Sequence, residues 1–479
     1  MTVPYRPSPT LSEFHEDAHF VRGLMGPFGS GKSVGCCWEI VLRCMRQNKQ
    51  EDGFRRSRWV CVRNTTQQLK DTTLKTWMDW IPEGVMGHYK VSDATFMLEF
   101  EDVRAEILFR PLDTPDDVKR LLSLELTGAW VNEAREIPKA IIDGITGRIG
   151  RYPREADGGS QWNGIIMDTN PPDEDHWWYE IFEVQSHKDP QVKELYRIFK
   201  QPPAMFRKDG RWEINPEAEN LQNLPKSYYP NMTIGKSEEW IKVYVEGKYG
   251  IVSDGRPVYD GYNDEWNCRE FDFDPNLPVY VGWDYSFHGQ ACVLAQLSPR
   301  GQLRIFDEFV GEGVGLHNFI LNSVKPGLSN YKASYARSTG DPAGAKRGDL
   351  DEKFALEMLN DGYEDMLCQL PFDTEAADTN SLSPRTQGVE YFLNRTIEGA
   401  PAMLLHPRCA TLRKGFQGRY EFKRVAVVGE ERYKDVPAKN KYSHPQDALQ
   451  YLCRGILCDA KEEEDDEYYS ERRVGLSGY

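Results

Sequence analysis

The stretch Gly26-Pro27-Phe28-Gly29-Ser30-Gly31-Lys32-Ser33 matches the phosphate-loop pattern G-x-x-x-x-G-K-[ST] in full. An apolar strand candidate precedes it at residues 20–25, and a helix-like run follows from Val34 to Arg46. Glycines at these positions let backbone N–H groups surround phosphates, and the N-terminus of the helix adds positive potential. A glycine turn with an incidental lysine is the alternative, and the flanking strand and helix disfavour it.

The loop therefore predicts a nucleoside triphosphate site. Lys32 is expected to contact the β- and γ-phosphates, and the Ser33 hydroxyl is expected to help hold Mg²⁺. The nucleotide-binding residues predicted from this motif are Gly26, Gly29, Ser30, Gly31, Lys32 and Ser33.

The composition bounds the class of protein. A chain of 479 residues is longer than one core usually serves, so two or three domains are expected. It contains neither an apolar run of membrane-spanning length nor a signal-peptide pattern, and its scattered cysteines suit a reducing cytosol. A formal net charge of −16 argues against nonspecific nucleic-acid binding by the whole surface. Part of this charge lies in an acidic tail after residue 458, while residues 408–441 are rich in Lys and Arg.

Two architectures follow one another along the chain. Strand and helix signals alternate over the first two hundred residues, which predicts an α/β domain with a mainly parallel sheet. Three strand candidates in series, Val279–Asp284, Ala291–Leu297 and Gln302–Phe309, then indicate a meander. Segments rich in Pro, Asn and Gly lie between the two regions and predict a domain boundary.

Polar residues end two apolar runs of the first region. In the run Leu126–Ala134, Asn132 occupies the place where a phosphate-loop ATPase usually has an Asp near Mg²⁺, and Glu133 follows as a candidate to polarise the attacking water. An amide brings no charge, so either metal binding is weaker here or another carboxylate helps. Asp168 ends the next run, where a γ-phosphate sensor and a plain Asn-Pro turn are both open readings. Candidates for an arginine finger are Arg120, Arg148 and Arg151.

Three aspartates stand out in the second region. Asp284 and Asp341 each end an extended segment, and Asp447 lies in the predicted first turn of a helix that opens at Pro445. Converging carboxylates could bind Mg²⁺ or Mn²⁺ and support phosphodiester cleavage. Isolated aspartates in turns are the alternative, and Glu308 is a weaker fourth candidate.

The order of these motifs resembles the large terminase subunit of tailed bacteriophages. The resemblance is carried by GPFGSGKS, AWVNEAREIP, MDTNPP, GWDYSF, GDPAG and HPQDALQY. It implies a ribonuclease H-like second domain with Asp284, Asp341 and Asp447 as metal ligands. It also implies that Arg120 acts in trans on the neighbouring subunit. Asn132 departs from the Asp that is usual in the family.

The resemblance implies a domain order. The expected parts are a P-loop ATPase domain at 1–205, a linker or lid subdomain at 206–275, a nuclease domain at 276–458 and a flexible acidic tail at 459–479. The expected cofactors are ATP and Mg²⁺, with Mn²⁺ able to replace Mg²⁺ in the nuclease site.

The implied function is an ATP-driven motor that moves double-stranded viral DNA into a procapsid and cuts concatemeric DNA. The implied partners are double-stranded DNA, the portal protein and procapsid, and a small terminase subunit, with a homo-oligomeric ring on the portal and no membrane. The expected location is the cytoplasm of the bacterial host, with transient docking on the procapsid. Two rivals remain open: a repair or helicase-type ATPase-nuclease, and a nucleotide-gated assembly protein whose ATPase is impaired by Asn132.

Overall fold

The computed structural model describes residues 5–251, 255–286, 289–345, 355–361, 368–425 and 432–458. The chain divides into two compact units, Met1–Val252 and Ser253–Tyr479. This division falls inside the predicted linker at 206–275, whose outer boundaries stay predictions. The predicted acidic tail at 459–479 lies outside the described residues. Among the described residues, no helix combines the length and apolar character needed to cross a membrane.

The first unit is built on one eight-stranded sheet. Its strands are β1 (Val21–Met25), β2 (Arg55–Arg63), β3 (Gly87–Lys90), β4 (Thr95–Phe100), β5 (Val103–Pro111), β6 (Gly128–Asn132), β7 (Gly164–Thr169) and β8 (Tyr196–Lys200). Their order in space is β3-β4-β5-β2-β6-β7-β1-β8. Along this spatial order, every neighbouring pair from β5 through β2, β6, β7 and β1 to β8 is parallel. Only the pairs β3-β4 and β4-β5 are antiparallel. The predicted mainly parallel α/β sheet is thus confirmed.

The helices of this unit fall mostly between its strands. They are α1 (Pro9–Glu16), α2 (Lys32–Arg46), α3 (Thr66–Gln68), α4 (Lys75–Trp80), α5 (Pro115–Leu121), α6 (Lys139–Thr146), α7 (Trp177–Tyr179), α8 (Ser186–Lys188), α9 (Pro190–Leu195), α10 (Tyr228–Thr233) and α11 (Glu238–Tyr244). A π-helical segment, Leu69–Leu74, joins α3 to α4. A small antiparallel hairpin of β9 (Met205–Lys208) and β10 (Arg211–Ile214) precedes α10.

Alternate residues of the central strands enter different cores. On β7, Ile166 joins the cluster that contains Cys37 and Ile40 of α2, whereas Ile165 joins the cluster on the other face. Successive side chains of a strand point to opposite faces, so the even-numbered residues of β7 face α2. Asp168 has the same parity as Ile166, and its side chain is therefore directed towards the helix that follows the phosphate loop.

The second unit contains a six-stranded mixed sheet. Its main strands are β12 (Val279–Ser286), β13 (Gly289–Leu297), β14 (Leu303–Glu312), β15 (Tyr335–Gly340), β16 (Thr374–Ala376) and β19 (Met403–Leu405), with the short strands β11 (Arg256–Pro257), β17 (Thr396–Ile397), β18 (Ala400–Pro401), β20 (Glu421–Phe422), β21 (Arg424–Val425) and β22 (Arg432–Tyr433) outside it. The spatial order is β16-β15-β12-β13-β14-β19. Strands β12, β13 and β14 form an antiparallel meander, and the parallel strands β15 and β16 lie on the other side of β12. This is the arrangement of a ribonuclease H-like sheet. The predicted fold of the second unit is confirmed.

The helices of the second unit include the one that carries Asp447. They are α12 (Asp264–Asn267), α13 (Leu316–Phe319), α14 (Lys325–Leu328), α15 (Ala355–Asp361), α16 (Leu382–Leu393), α17 (Ala410–Lys414) and α18 (residues 443–458). One face of α18 is apolar and buried, with Leu449 and Leu452 in the core. Because α18 begins two residues before Pro445, Asp447 is its fifth residue and lies in the second turn instead of the predicted first.

Candidate functional site

The phosphate loop joins the end of β1 to the start of α2. Gly29 and Gly31 have φ values of 71° and 85°, a left-handed conformation that disfavours any residue with a Cβ atom. Helix α2 begins at Lys32, directly after Gly31, so its first backbone N–H groups open onto the loop. The conformation is that of an anion-binding loop, as the sequence predicts.

Lys32 is held inside this loop. Its ammonium donates to the carbonyl oxygens of Gly26, at 3.0 Å, and Pro27, at 2.7 Å. Burial lowers the pKa of the Lys32 ammonium, and the nearby carboxylates of Glu133 and Asp168 oppose that shift. The loop thus presents a buried lysine whose nearest formal charges are acidic.

Asp168 lies at the centre of the site. Its Cα is in register with Leu24 of β1 on one side and Asn132 of β6 on the other. The Ser33 hydroxyl donates to Asp168 Oδ2 at 2.7 Å, and Trp130 Nε1 donates to Oδ1 at 2.7 Å. The Asn132 side-chain amide donates to both oxygens, at 3.0 and 3.1 Å. Ser33, Trp130 and Asn132 therefore all donate hydrogen bonds to one fully buried carboxylate.

Asn132 is itself fixed on its other side. The Thr73 hydroxyl donates to Asn132 Oδ1 at 2.6 Å, and both residues are buried. An ionised carboxylate only accepts hydrogen bonds, so the amide nitrogen of Asn132 must face Asp168 and its oxygen must face Thr73. Asn132 therefore acts as a donor to Asp168, with its oxygen already engaged.

Glu133 follows directly at the end of β6. It has a left-handed backbone, with φ 53° and ψ 58°, and a partly buried side chain. Burial raises the pKa of its carboxyl, Asp168 adds to this shift, and Lys32 and Arg63 oppose it. A strained conformation and a carboxylate of raised basicity beside the phosphate loop suit a general base.

Aromatic and amide groups from residues 201–244 brace the loop. The ring of Phe28 stacks on Tyr244, with centroids 4.2 Å apart. The Tyr229 hydroxyl donates to the Phe28 carbonyl at 2.8 Å, and Asn220 Nδ2 donates to the Gly29 carbonyl at 2.7 Å. The C-terminal part of the first unit therefore fixes the loop through hydrogen bonds and ring stacking.

The three candidate arginines lie in different surroundings. Arg120 is on α5 with an exposed side chain, and Arg151 is also exposed. Arg148 is partly buried, and its backbone carbonyl accepts from the Leu126 N–H at 3.1 Å. Arg63, which belongs to none of the motifs, ends β2, the strand beside β6, and lies 3.2 Å from Glu136. Exposure leaves both Arg120 and Arg151 accessible to another molecule, and Arg120 stays the predicted finger.

Asp284 and Asp341 lie near the ends of neighbouring parallel strands in the second unit; Asp341 directly follows β15, whereas β12 continues two residues beyond Asp284, because these residues still pair with β13, so Asp284 does not end its strand as predicted. Trp283 of β12 is in register with Gly340 of β15, and each aspartate comes one residue later. The buried Asp284 accepts a 2.7 Å hydrogen bond from His444, whereas Asp341 accepts one from the Ala343 N–H at 2.8 Å. Burial raises the pKa of Asp284 and Asp447 adds to the shift, while His444 opposes it.

Asp447 is paired with cations. Arg385 Nη2 lies 2.5 Å from its Oδ1, Lys439 Nζ lies 2.5 Å from its Oδ2, and the Tyr420 hydroxyl donates to Oδ1 at 3.1 Å. Within the described residues, no group of three or more His, Cys, Asp or Glu side chains is arranged to hold a metal ion. The chemistry of the three carboxylates suits Mg²⁺ or Mn²⁺, but their present arrangement does not form a metal site.

Glu308, the weaker fourth candidate, has another role. Its two carboxylate oxygens accept the backbone N–H groups of Thr411 and Leu412, at 2.5 and 2.9 Å. These groups belong to the first turn of α17, whose unpaired N–H groups favour a carboxylate. Glu308 therefore caps a helix.

Comparison with known proteins finds a family similarity in part of the first unit. The profile of the family described as phage terminase large subunit matches residues 18–201. Residues 18–201 are therefore similar to the phage terminase large subunit family. This terminase segment contains β1 to β8, the phosphate loop, Asn132, Glu133 and Asp168, and its match supports the resemblance of the motifs that lie within residues 18–201.

The solved structures to which the chain is similar include large terminases. The large terminase of a thermophilic bacteriophage matches with a TM-score of 0.42 and 14% identity, over 94% of this chain and 100% of that one. The large terminase of bacteriophage HK97 matches with a TM-score of 0.41 and 12% identity, over 94% and 95% of the two chains. The ATPase domain of the large terminase of Thermus phage P74-26 matches with a TM-score of 0.32 and 14% identity, over 51% and 94%. No curated protein matches the sequence.

The terminase segment also contains site residues that sequence reasoning missed. Thr73 and Trp130 each bond to a member of the Ser33–Asp168–Asn132 network. Thr73 lies outside the motifs, in a π-helical segment, and Trp130 lies in the apolar part of AWVNEAREIP, where it has the pattern of a core residue. Asp168 was visible as a polar strand end, but its contact with Ser33 depends on which strands are neighbours.

Proposed function

We propose that this chain is the ATPase subunit of a phage DNA-packaging motor, which moves double-stranded DNA into a procapsid. One observation carries the proposal: within the terminase segment, the phosphate loop, Asp168 and Glu133 meet at the carboxyl edge of a parallel sheet. Ligands of open α/β sheets bind at this edge. The working partners are double-stranded DNA, the portal protein of the procapsid and a small terminase subunit, in the cytoplasm of the bacterial host.

The residues of the loop bind and orient ATP. Backbone N–H groups from Gly29 to Ser33 and the Lys32 ammonium bind the phosphates. Ser33 and Asp168 supply a hydroxyl and a carboxylate, oxygen donors that suit Mg²⁺. When bound, Mg²⁺ neutralises charge on the phosphate oxygens.

Glu133 activates the attacking water. Its carboxylate accepts a proton from the water as the water oxygen attacks the γ-phosphorus, and ADP leaves with the bridging oxygen. Burial keeps this carboxylate more basic than an exposed glutamate. The exposed Arg120 on α5 is proposed to complete the site of a neighbouring subunit in a ring on the portal.

The second unit is proposed to cut DNA with Mg²⁺ or Mn²⁺. The support is the ribonuclease H-like strand order together with Asp284 and Asp341, which follow residues paired in register on adjacent strands. Asp447 is the third proposed ligand. In the described conformation Arg385 and Lys439 neutralise it, so cutting requires these cations to be displaced from the carboxylate.

Packaging is tested by mixing the protein with empty procapsids, portal, small subunit, linear DNA and ATP, and then adding a nuclease. We expect DNA to become protected only with ATP. Glu133→Gln should abolish protection, whereas Glu180→Gln, an exposed charge on the same unit, should leave it unchanged.

Two outcomes would favour the rivals. Separation of duplex strands during ATP hydrolysis, with no protection, would support a helicase-type enzyme. Protection that needs ATP binding but persists in Glu133→Gln would support a nucleotide-gated assembly protein.

A further inference from the structure

The position of Asp168 in the sheet distinguishes it from Asn132. Strand β7 lies between β1, which leads into the phosphate loop, and β6, which ends in Asn132. Neighbouring strands are ~4.8 Å apart, so Asp168 is one strand closer to the loop than Asn132. Its side chain also faces α2, which starts at Lys32.

The hydrogen bonds of Asn132 prevent it from acting as an acceptor beside Ser33. Its amide nitrogen donates to Asp168, and its oxygen accepts from Thr73 at 2.6 Å. Its contact with Ser33 is also made through the nitrogen, at 3.3 Å. A cation or a cation-bound water needs an oxygen acceptor, and Asn132 has none directed at Ser33.

Asp168 has the properties that Asn132 lacks. It is fully buried, and within the described part of the chain its side-chain donors are Ser33, Asn132 and Trp130, which are all neutral. Burying a carboxylate without a paired cation costs free energy. The nearby Lys32 ammonium donates to the Gly26 and Pro27 carbonyls. Among the described residues, no cation is therefore hydrogen-bonded to Asp168, which lies next to the hydroxyl that phosphate-loop proteins use towards Mg²⁺.

We propose that Asp168 is the positioning carboxylate of the nucleotide site: it orients Ser33 and the water shell of Mg²⁺, the task for which Asn132 has no free oxygen. Asn132 then serves as a neutral donor that orients Asp168. This inference rests on the proposed ATP site. It adds that Asp168 is the residue that makes nucleotide binding at this site depend on a divalent cation.

The test is the Mg²⁺ dependence of nucleotide affinity. A fluorescent ATP analogue is titrated into the full chain in excess Mg²⁺ and in EDTA, and the ratio of the two Kd values is compared. Loss of a residue that orients metal ligands typically costs about 10–100-fold in metal affinity. We expect Asp168→Asn to lose about tenfold or more of the Mg²⁺ enhancement, with its affinity in EDTA close to wild type.

Two further variants sharpen the test. Asn132→Asp combined with Asp168→Asn exchanges the carboxylate and amide, and should recover part of the enhancement. Asp143→Asn removes an exposed carboxylate of α6 that pairs only with Lys139 in the described chain, and should behave as wild type. An Asp168→Asn protein that keeps the full Mg²⁺ enhancement would overturn the proposal.

A different result would overturn the ATP site itself. If the wild type binds the analogue neither with nor without Mg²⁺, the proposed function fails, whatever Asp168 does. Should Asp168→Asn not fold, as judged by thermal melting, Asp168→Glu keeps the charge but moves the carboxylate. Mg²⁺ demands stricter geometry than larger cations, so the ratio of Mg²⁺- to Ca²⁺-supported affinity should fall several-fold, and an unchanged ratio contradicts the proposal.

Discussion

The hydroxyl of Ser33, in the phosphate loop, donates a 2.7 Å hydrogen bond to the carboxylate of Asp168, which lies 135 residues later in the chain. This bond joins the first turn of α2 to the end of β7. It pairs the loop with a carboxylate on β7, the strand beside β1. The usual acidic position, at the end of β6, holds the amide of Asn132 instead. The catalytic edge of the first unit is organised around it.

Lys32 and Glu133 should separate binding from hydrolysis. Lys32→Ala removes the ammonium held in the loop, so nucleotide binding and turnover should both be lost. Glu133→Gln should retain binding but reduce kcat by about 10²–10⁴-fold, the range for loss of a general base. Fluorescent-nucleotide titration and phosphate release measure the two quantities. Normal turnover in Glu133→Gln would exclude Glu133 as the base.

Thr73 should stabilise the first unit through Asn132. Thr73→Val leaves the buried oxygen of Asn132 without its donor, which should cost about 1–3 kcal/mol in the free energy of unfolding. Urea denaturation measures this loss. Thr72→Val is the matched control, because the exposed Thr72 hydroxyl bonds only to the carbonyl of Gln68 in its own helix. Equal stability of the two variants would contradict the assigned role.

A buried ion cluster in the first unit should make its stability depend on pH. Glu39 lies 2.6 Å from both Arg22 and Arg43 and 2.7 Å from His15. Burial by itself raises the pKa of Glu39, but these three partners overcome that effect and lower it below the ordinary 4.5. A lowered pKa contributes stability that is complete above about pH 4.5 and is lost as the pH falls through the folded-state value.

Removing that carboxylate tests the cluster. Glu39→Gln leaves the fully buried Arg22 without its counter-charge, so unfolding should become easier by about 3–5 kcal/mol at pH 7. Urea denaturation at pH 7 and pH 4 should show a smaller dependence on pH in the variant than in the wild type. If both proteins lose the same amount of stability between pH 7 and pH 4, groups other than Glu39 cause that loss.

Asp284 should be required for DNA cleavage by the second unit. In an assay of plasmid nicking with Mn²⁺, Asp284→Asn and Asp447→Asn should both fall to background, because each removes a proposed metal ligand. Asp378→Asn is the control, since Asp378 forms an ion pair with Arg454 outside the proposed site. Cutting at the wild-type rate by both site variants would disprove the ligand assignment.

Lys439 should restrain that cleavage. Its ammonium is 2.5 Å from Asp447, and 69% of its side chain is exposed. Lys439 therefore competes with a metal ion for the carboxylate, but displacing it costs little free energy. An exposed ion pair is worth up to about 1 kcal/mol, so Lys439→Gln should lower the half-saturating Mn²⁺ concentration by up to about fivefold. Lys423→Gln, another exposed lysine of the same unit, should leave it unchanged. If the two variants have the same half-saturating Mn²⁺ concentration, Lys439 does not restrain cleavage.

The elements that the sequence predicted well have strong local patterns. The helix predicted over Val34–Arg46 is present as α2, and the three strands of the meander begin and end within three residues of their predicted bounds. Alternating apolar residues and turn formers are local information, and they encode these elements. The start of α18 was misplaced by two residues, because a proline is accepted anywhere in the first turn of a helix.

The sequence by itself determined the phosphate loop, since eight consecutive residues encode its backbone, its lysine and its hydroxyl. It also placed a glutamate after β6 and an aspartate near the end of β7. Only the tertiary structure decided which carboxylate meets Ser33, because the order of parallel strands is set by how their faces pack. It placed β7 between β1 and β6, and so brought Asp168, and not residue 132, to the loop with its negative charge. It likewise decided that Asp447 lies against Arg385 and Lys439, since these residues come from separate segments that only packing brings together.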